Sequence, residues 1–415
     1  MTANLALAAP AADASAPLRF EAIENETVQR ILQATRQHLG TEIAFVGRYV
    51  EGGQRELMHV DTDLDLPMGP GFREPREDSF CWHILEGRLP ELIQDAQEIP
   101  LARSLPITGM LPVGVHLNVP LRLSDGSVFG SFCCVSRDAD RTITQRDMNV
   151  LRAFGRLAAE QIESSLAGDE QRLVTRRMID GVMAEKGLSI AMQPIHDLAT
   201  SRVAGFECLS RFAAKGDVRS PDAWFGDAKS VGKGVDLEMF AVHCALAEAR
   251  RMPGNIYISL NASPETILSG RVAEALREVE DRRIVLEVTE HEQVSDFAGL
   301  AEALREIAPY AKIAIDDVGA GYAGLRYLVD LAPDLLKLDT SLTTNIDTDL
   351  ARQAMTAAIV HFAKAIGSEV VGEGIERQGE LDMLRELGVH YGQGYHFAKP
   401  MPFVRANQYL LNDAF

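Results

Sequence analysis

From Leu188 onward the chain repeats one pattern: a short apolar run, a polar stop, then a longer stretch with helical spacing. GFECLSRF is followed by MFAVHCALAEARRM, IYISLNAS by PETILSGRVAEALREV, and IVLEVTE by LAEALREI. KIAIDDVG, LLKLDTS, EVVGEGIE and HYGQGYHF continue the series with helices between them. Strands joined through crossover helices run parallel, and a parallel sheet needs both faces covered. LSIAMQPIHDL precedes the series as one extra strand. The strand count predicts an α/β fold, a modified TIM-type (β/α)8 barrel over residues 188–412.

The preceding sequence has a different texture. Residues 1–19 are rich in Ala and Pro and lack a basic n-region, so they read as a disordered tail. Residues 20–165 read as an α+β domain around an antiparallel sheet. Ile23, Val28, Ile31 and Leu32 have helical spacing, and IAFVGRYV (43–50) reads as a strand. VHLNVPLRL and SVFGSFCCV flank the turn Ser124-Asp125-Gly126, a hairpin signature. Met148, Leu151, Phe154, Leu157, Ala158 and Ile162 mark another helix, and residues 166–187 continue as a charged helical linker.

A formal net charge of −19 disfavours a general DNA-binding surface. It leaves room for a small phosphate ligand, because a divalent cation reverses the local sign. No apolar run has the length of a membrane span, so no membrane partner is expected. Cys81, Cys133, Cys134, Cys208 and Cys244 are odd in number and scattered, which suits neither a disulfide framework nor a zinc knuckle. A reducing cytoplasm is the expected compartment.

The barrel strands end on polar residues: Glu207, Asn261, Glu287, Asp316 with Asp317, Lys337, Glu373 and Gln393. A barrel gathers its C-terminal strand ends on one rim, so these side chains converge. One polar strand end merely begins a wet loop. Five carboxylates around one lysine are another matter, since two like charges about 4 Å apart repel by roughly 4 kcal/mol at an effective dielectric near 20. Such a set needs protons or cations. Carboxylate and amide oxygens are hard ligands suited to Mg²⁺ or Mn²⁺, and no His or Cys at a strand end speaks for zinc. Adjacent Asp316 and Asp317 could let one carboxylate bridge two ions, the arrangement used in phosphoryl hydrolysis.

Those residues also carry a resemblance. Residues 172–410 resemble the EAL-type cyclic-di-GMP phosphodiesterases. The name-giving Glu-Ala-Leu stands here as Glu207-Cys208-Leu209, followed by Ser210 and Arg211, with Gln193-Pro194 upstream. SLNASPE, LEVTE, DDVGAG, LKLD, GEGIE and QGYHF follow in family order. The resemblance implies metal-dependent hydrolysis of cyclic di-GMP to the linear dinucleotide pGpG, with two Mg²⁺ or Mn²⁺ ions per site. It assigns Glu207, Asn261, Glu287 and Asp316 to one ion, and Asp316, Asp317 and Glu373 to the other. Glu373, Lys337 and Glu207 form the implied catalytic set, with Glu373 as base and Lys337 orienting the water. Gln193, Leu209, Arg211, Asp236 and Gln393 are the implied substrate contacts. The resemblance also implies that the loop 318–325, with Gly319 and Gly321 in it and Glu290 anchoring it, couples the site to an EAL homodimer. The chain departs from the family at Cys208, Val318 and Ala320, where Ala, Phe and Thr are usual.

Residues 20–165 resemble a GAF sensor module through SFCWHILEGRLPELIQDA and the hairpin VPLRLSDGSVFGSFCCVS. Its ligand is unknown from the sequence, and it implies regulation of the hydrolase. The alternative is a catalytically silent cyclic-di-GMP receptor or signalling scaffold; the intact ligand set favours the enzyme. No Gly-Gly-Asp/Glu-Glu-Phe stretch occurs, so synthesis is not expected. Cys81, Trp82 and His83 read as core, and His116 as a strand-face histidine. Cys133 and Cys134 fall on opposite strand faces. Met178, Ile179 and Met183 read as a packed helix face. Trp224 and Phe225 suit helix packing as well as base stacking.

Overall fold

The computed structural model describes residues 26–213, 219–279, 282–288, 296–319 and 331–413. Its contacts divide the chain into two units, Met1–Gln171 and Arg172–Phe415. Glu290 and Gly321 lie outside the described residues. Among the described residues no helix is long and apolar enough to cross a membrane.

The first unit is built on a six-stranded antiparallel sheet. Its strands are β1 (Ile43–Val50), β2 (Gln54–Thr62), β3 (Arg73–Pro75), β4 (Leu92–Ile93), β5 (Val115–Arg122) and β6 (Val128–Ser136), in the order β3-β2-β1-β6-β5-β4. The hairpin expected around Ser124-Asp125-Gly126 joins β5 to β6, closed by Gly126 N–H to Leu123 O. Period-two alternation sorts the side chains onto two buried faces. Ala44, Val46, Val119, Phe132 and Cys134 share a core with the helix Glu26–Leu39 and with Met148, Leu151 and Ile162. Ile43, Val135, Phe80 and Ile107 form the core on the opposite face. The helical stretches expected on either side of residue 166 are one helix, Gln145–Ala184. No proline interrupts it, and a helical glycine such as Gly168 costs only about 1 kcal/mol.

The second unit is a closed barrel of β7 (Leu188–Asp197), β8 (Val203–Phe212), β9 (Tyr257–Ala262), β10 (Ile284–Val288), β11 (Ala311–Val318), β12 (Leu335–Leu338), β13 (Glu369–Gly372) and β14 (Tyr391–Gly392), with β15 (Met401–Pro402) added on β7. The strand expected as an extra is a stave of the barrel. β7 runs antiparallel to both β8 and β14, and this pairing closes the ring. A tight connection explains the reversal: only Leu198–Arg202 separate β7 from β8, far too few for the crossover a parallel pair needs. Outside the ring, Trp224 stacks on Phe212 with centroids 5.0 Å apart and joins Ile179 and Val182 in a small core. The Met178–Met183 stripe is therefore a packing face, and Trp224 and Phe225 serve packing.

Candidate active site

Ile195, Val285, Ala314, Leu335 and Val371 form one buried apolar cluster, with Tyr257 and Tyr391 packed against it. They come from seven staves, β7 and β9 to β14, and share the inward face. Gly205 completes this layer on β8, where a Cβ would meet the Tyr257 ring at 2.5 Å. Side chains recur on one strand face every second residue. Two residues further along each stave the inward face is polar: Glu207, Ser259, Glu287, Asp316, Lys337, Glu373 and Gln393. On the reversed β7 the step runs backwards, from Ile195 to Gln193. Gln193 lies opposite Glu207, and Asn261 lies level with Glu287.

Lys337 is the hub of this layer, only 2% exposed. Its Nζ donates to Glu287 Oε2 at 2.6 Å, and lies 2.6 Å from Glu373 Oε1, 3.1 Å from Asp316 Oδ1 and 3.7 Å from Glu207 Oε1. Glu207 also accepts Asn261 Nδ2 at 3.1 Å and Gln393 Nε2 at 2.5 Å. Ser259 Oγ, wholly buried, donates to Glu287 Oε1. Gln193 Nε2 donates to Ala398 O at 3.2 Å. One expectation needs correcting: Glu207 is not at a strand end, because β8 runs on to Phe212. By the same alternation Leu209 and Arg211 stand on the Glu207 face of β8. Arg211 is exposed and donates to Ser210 O.

Adjacent strand residues ordinarily point to opposite faces, yet Asp316 and Asp317 both offer an oxygen to one group with Glu373. All three ligand atoms lie within 4.8 Å of one another. The backbone explains this. The pairing of β11 with β12 shifts register between Ile315 and Val318, and Asp317 takes a φ of +54°. A left-handed non-glycine residue costs of order 1–3 kcal/mol and is found where the surroundings enforce it. Gly319 continues the bend at φ +110°, where a Cβ would meet Leu342 Cδ1 at 2.3 Å.

The electrostatics follow from burial against Lys337. Burial pushes the Glu373 carboxyl up to about 8 in spite of the Lys337 ammonium, with Asp316 and Glu207 adding to the rise. Burial likewise raises Glu287 well above the usual carboxylate range. At Glu207 burial also pushes upward, but Lys337 and the hydrogen bonds from Gln393 and Asn261 outweigh it and leave the group low. Burial alone would lower Lys337; Asp316, Glu207, Glu287 and Glu373 instead hold its ammonium well above the ordinary range. The cluster can thus relieve its surplus negative charge by proton uptake or by cations.

The donor set fits hard divalent cations. It consists of carboxylate and amide oxygens, with no sulfur or imidazole among the converging groups. Gln393 Oε1 adds a buried acceptor with no hydrogen-bond partner among the described residues. Asp236 stands apart from the hub, paired with Arg271 Nη1 at 2.9 Å and Lys233 Nζ at 3.4 Å. Sequence reasoning missed Ser259, although its place two residues before Asn261 marks it as inward-facing. It also missed Glu380, which is 2% exposed and accepts the N–H groups of Asn345, Glu376 and Arg377, bracing the loop after Glu373.

Residues 176–400, more than half of the chain, match the model of the EAL domain. The chain belongs to the EAL domain family. Residues 22–163 match a GAF domain, so the EAL domain follows a GAF domain. Over 250 residues the chain is 30% identical to the probable cyclic di-GMP phosphodiesterase PdeB of Escherichia coli (strain K12), covering 56% of this chain and 47% of that protein. Over 232 residues it is 32% identical to the cyclic di-GMP phosphodiesterase PA2567 of Pseudomonas aeruginosa, covering 52% and 39%. The chain therefore spans less than half the length of these relatives. Among solved structures, an EAL domain protein from Listeria monocytogenes EGD-e is 27% identical with a TM-score of 0.51, covering 56% of this chain and 95% of that one. The PaMucR phosphodiesterase, in a c-di-GMP complex, is 25% identical with a TM-score of 0.51, covering 57% and 99%.

Proposed function

We propose that this EAL domain hydrolyses cyclic di-GMP to pGpG, using two Mg²⁺ or Mn²⁺ ions, and that the GAF domain regulates it. The observation that carries this reading is the approach of Asp316, Asp317 and Glu373 within 4.8 Å beside the Lys337 hub. Asp316, Asp317 and Glu373 would hold one cation, and Glu207, Asn261, Glu287 and Asp316 the other. When bound, the cations supply Lewis-acid stabilisation for charge building on the phosphodiester.

The remaining roles belong to the chain. Glu373 takes the proton of the attacking water, a task suited to a carboxyl raised towards neutral pH. Lys337 holds Glu373 in place and orients that water. Gln393 fixes Glu207 and offers its free Oε1 towards the site. Gln193, Leu209, Arg211 and Asp236 are proposed substrate contacts, with Arg211 on a phosphate. Glu290, Gly319 and Gly321 are proposed to tie the site to a homodimer interface of the EAL domain.

The test is incubation of purified protein with cyclic di-GMP and Mg²⁺ or Mn²⁺, with product followed by chromatography. Metal-dependent appearance of pGpG is expected. Tight binding without turnover would replace this reading with the silent receptor.

A further inference from the structure

The GAF domain encloses a second buried cluster, made of sulfur rather than oxygen. Cys81, on the helix Phe80–Leu85, and Cys133, on β6, are both fully buried, and their Sγ atoms lie 3.2 Å apart. Each sulfur receives one N–H: Arg55 Nη1 reaches Cys81 at 3.1 Å, and Asn118 Nδ2 reaches Cys133 at 2.9 Å. Glu74 Oε1 anchors Arg55 at 2.6 Å. His116 shares the cluster, with a ring nitrogen within 4.8 Å of both sulfurs. Its Nδ1 is buried and has no hydrogen-bond partner among the described residues.

The two sulfurs are not equivalent. Cys81 is held well below the ordinary thiol range, first by the hydrogen bond with Cys133 and then, against the cost of burial, by Arg55 and His116. Cys133 is pushed well above it by burial and by the neighbouring Cys81. These surroundings favour the thiolate at Cys81 and the thiol at Cys133, the division of labour that thiol–disulfide chemistry requires. A cavity lined by Arg55, Glu74, Ser79 and His116 and by apolar groups such as Phe45 and Leu57 adjoins the pair through Arg55 and His116, while the two sulfurs themselves lie outside its lining. The guanidinium against Cys81 also opposes a metal cation there.

We propose that Cys81 and Cys133 are a reversible two-electron redox pair, oxidised to a disulfide by a peroxide. The Cys81 thiolate attacks one peroxide oxygen, the O–O bond breaks, and the departing hydroxide takes up a proton. This leaves Cys81 as a sulfenic acid. Cys133 then attacks the Cys81 sulfur, the S–O bond breaks, and its own proton leaves with the hydroxide as water. The thiolate and the thiol have together lost two electrons and one proton, and hydrogen peroxide, with one further proton from solvent, has become two waters. An external thiol reverses the change. Cys134 supplies an internal control: it faces the apolar core on the other side of β6, and burial pushes its thiol up to about 12.

The experiment treats the full chain with stoichiometric hydrogen peroxide, alkylates remaining thiols under denaturing conditions, and maps peptides by mass spectrometry. The expected result is selective loss of the Cys81 and Cys133 thiols, a linked peptide pair, and full recovery with dithiothreitol. Cys134→Ser should give the same map, and Cys133→Ser should leave a sulfenic acid at Cys81 that dimedone traps. Survival of both thiols, random oxidation across all cysteines, or isolation of the chain with zinc bound at Cys81 and Cys133 would overturn the proposal.

Discussion

Lys337 and Arg55 are each almost wholly inside the protein, at 2% and 5% exposure, and each is held by anions instead of water. Their company differs. Lys337 lies within 4 Å of four carboxylates, with Asp317 close by, so hard oxygen and negative charge are in surplus. Arg55 faces one carboxylate and one sulfur, so its charge is more nearly balanced and only one of its partners is soft. A surplus of hard anions marks a site built to receive something cationic. A balanced, sulfur-bearing pair marks one whose reactive groups are its own residues.

The sharpest way to break this comparison is to remove each cation. Lys337→Met strands several buried carboxylates; it should destabilise the barrel by about 3–5 kcal/mol in EDTA, and abolish turnover when Mg²⁺ or Mn²⁺ is supplied. Arg55→Met should cost less, about 1–3 kcal/mol, because it leaves one carboxylate and one sulfur without their partner instead of four carboxylates. Denaturant unfolding of both variants decides it, and an equal or larger loss for Arg55→Met defeats the contrast. Next in size is Glu373→Gln, which should lower kcat by about 10²–10⁴-fold while cyclic di-GMP binding persists in calorimetry. Parent-like turnover would remove Glu373 from the role of base.

Cation loading sharpens the same contrast. At a Mg²⁺ or Mn²⁺ concentration about a hundredfold above Kd, the EAL unfolding transition should gain about 2.7 kcal/mol and the GAF transition nothing. Asp316→Asn should shrink that gain, whereas equal shifts in both units would mean that the oxygen cluster is not the receiver. The smallest effect concerns His59 in the GAF domain, whose pKa burial lowers from 6.5. The folded state refuses a proton that the unfolded chain accepts. This contribution to stability is therefore intact above about pH 6.5 and is lost as pH falls below it. His59→Gln should flatten that slope in unfolding scans between pH 7 and 5.

The acids of the EAL domain were legible because strand alternation and barrel closure act on short, local patterns. Glu287, Asp316, Lys337 and Glu373 each follow an apolar run, and topology does the gathering. The reversed β7 was visible only as an addition, since hydrophobic pattern carries no strand direction. Asp317 was harder still: its turn into the site depends on a left-handed backbone at a residue type that does not announce one. Cys81 and Cys133 were read as core and as a strand-face residue because periodicity assigns a face, not a partner. Their meeting joins a helix to a strand through tertiary packing.

The greasy layer of Ile195, Val285, Ala314, Leu335 and Val371 beneath the acids turns the barrel into a cul-de-sac. Among the described residues, that layer closes the acidic groups off from the opposite end of the barrel. Under the proposed function, ions and dinucleotide would share one mouth, and a product lingering at the threshold would bar the next arrival.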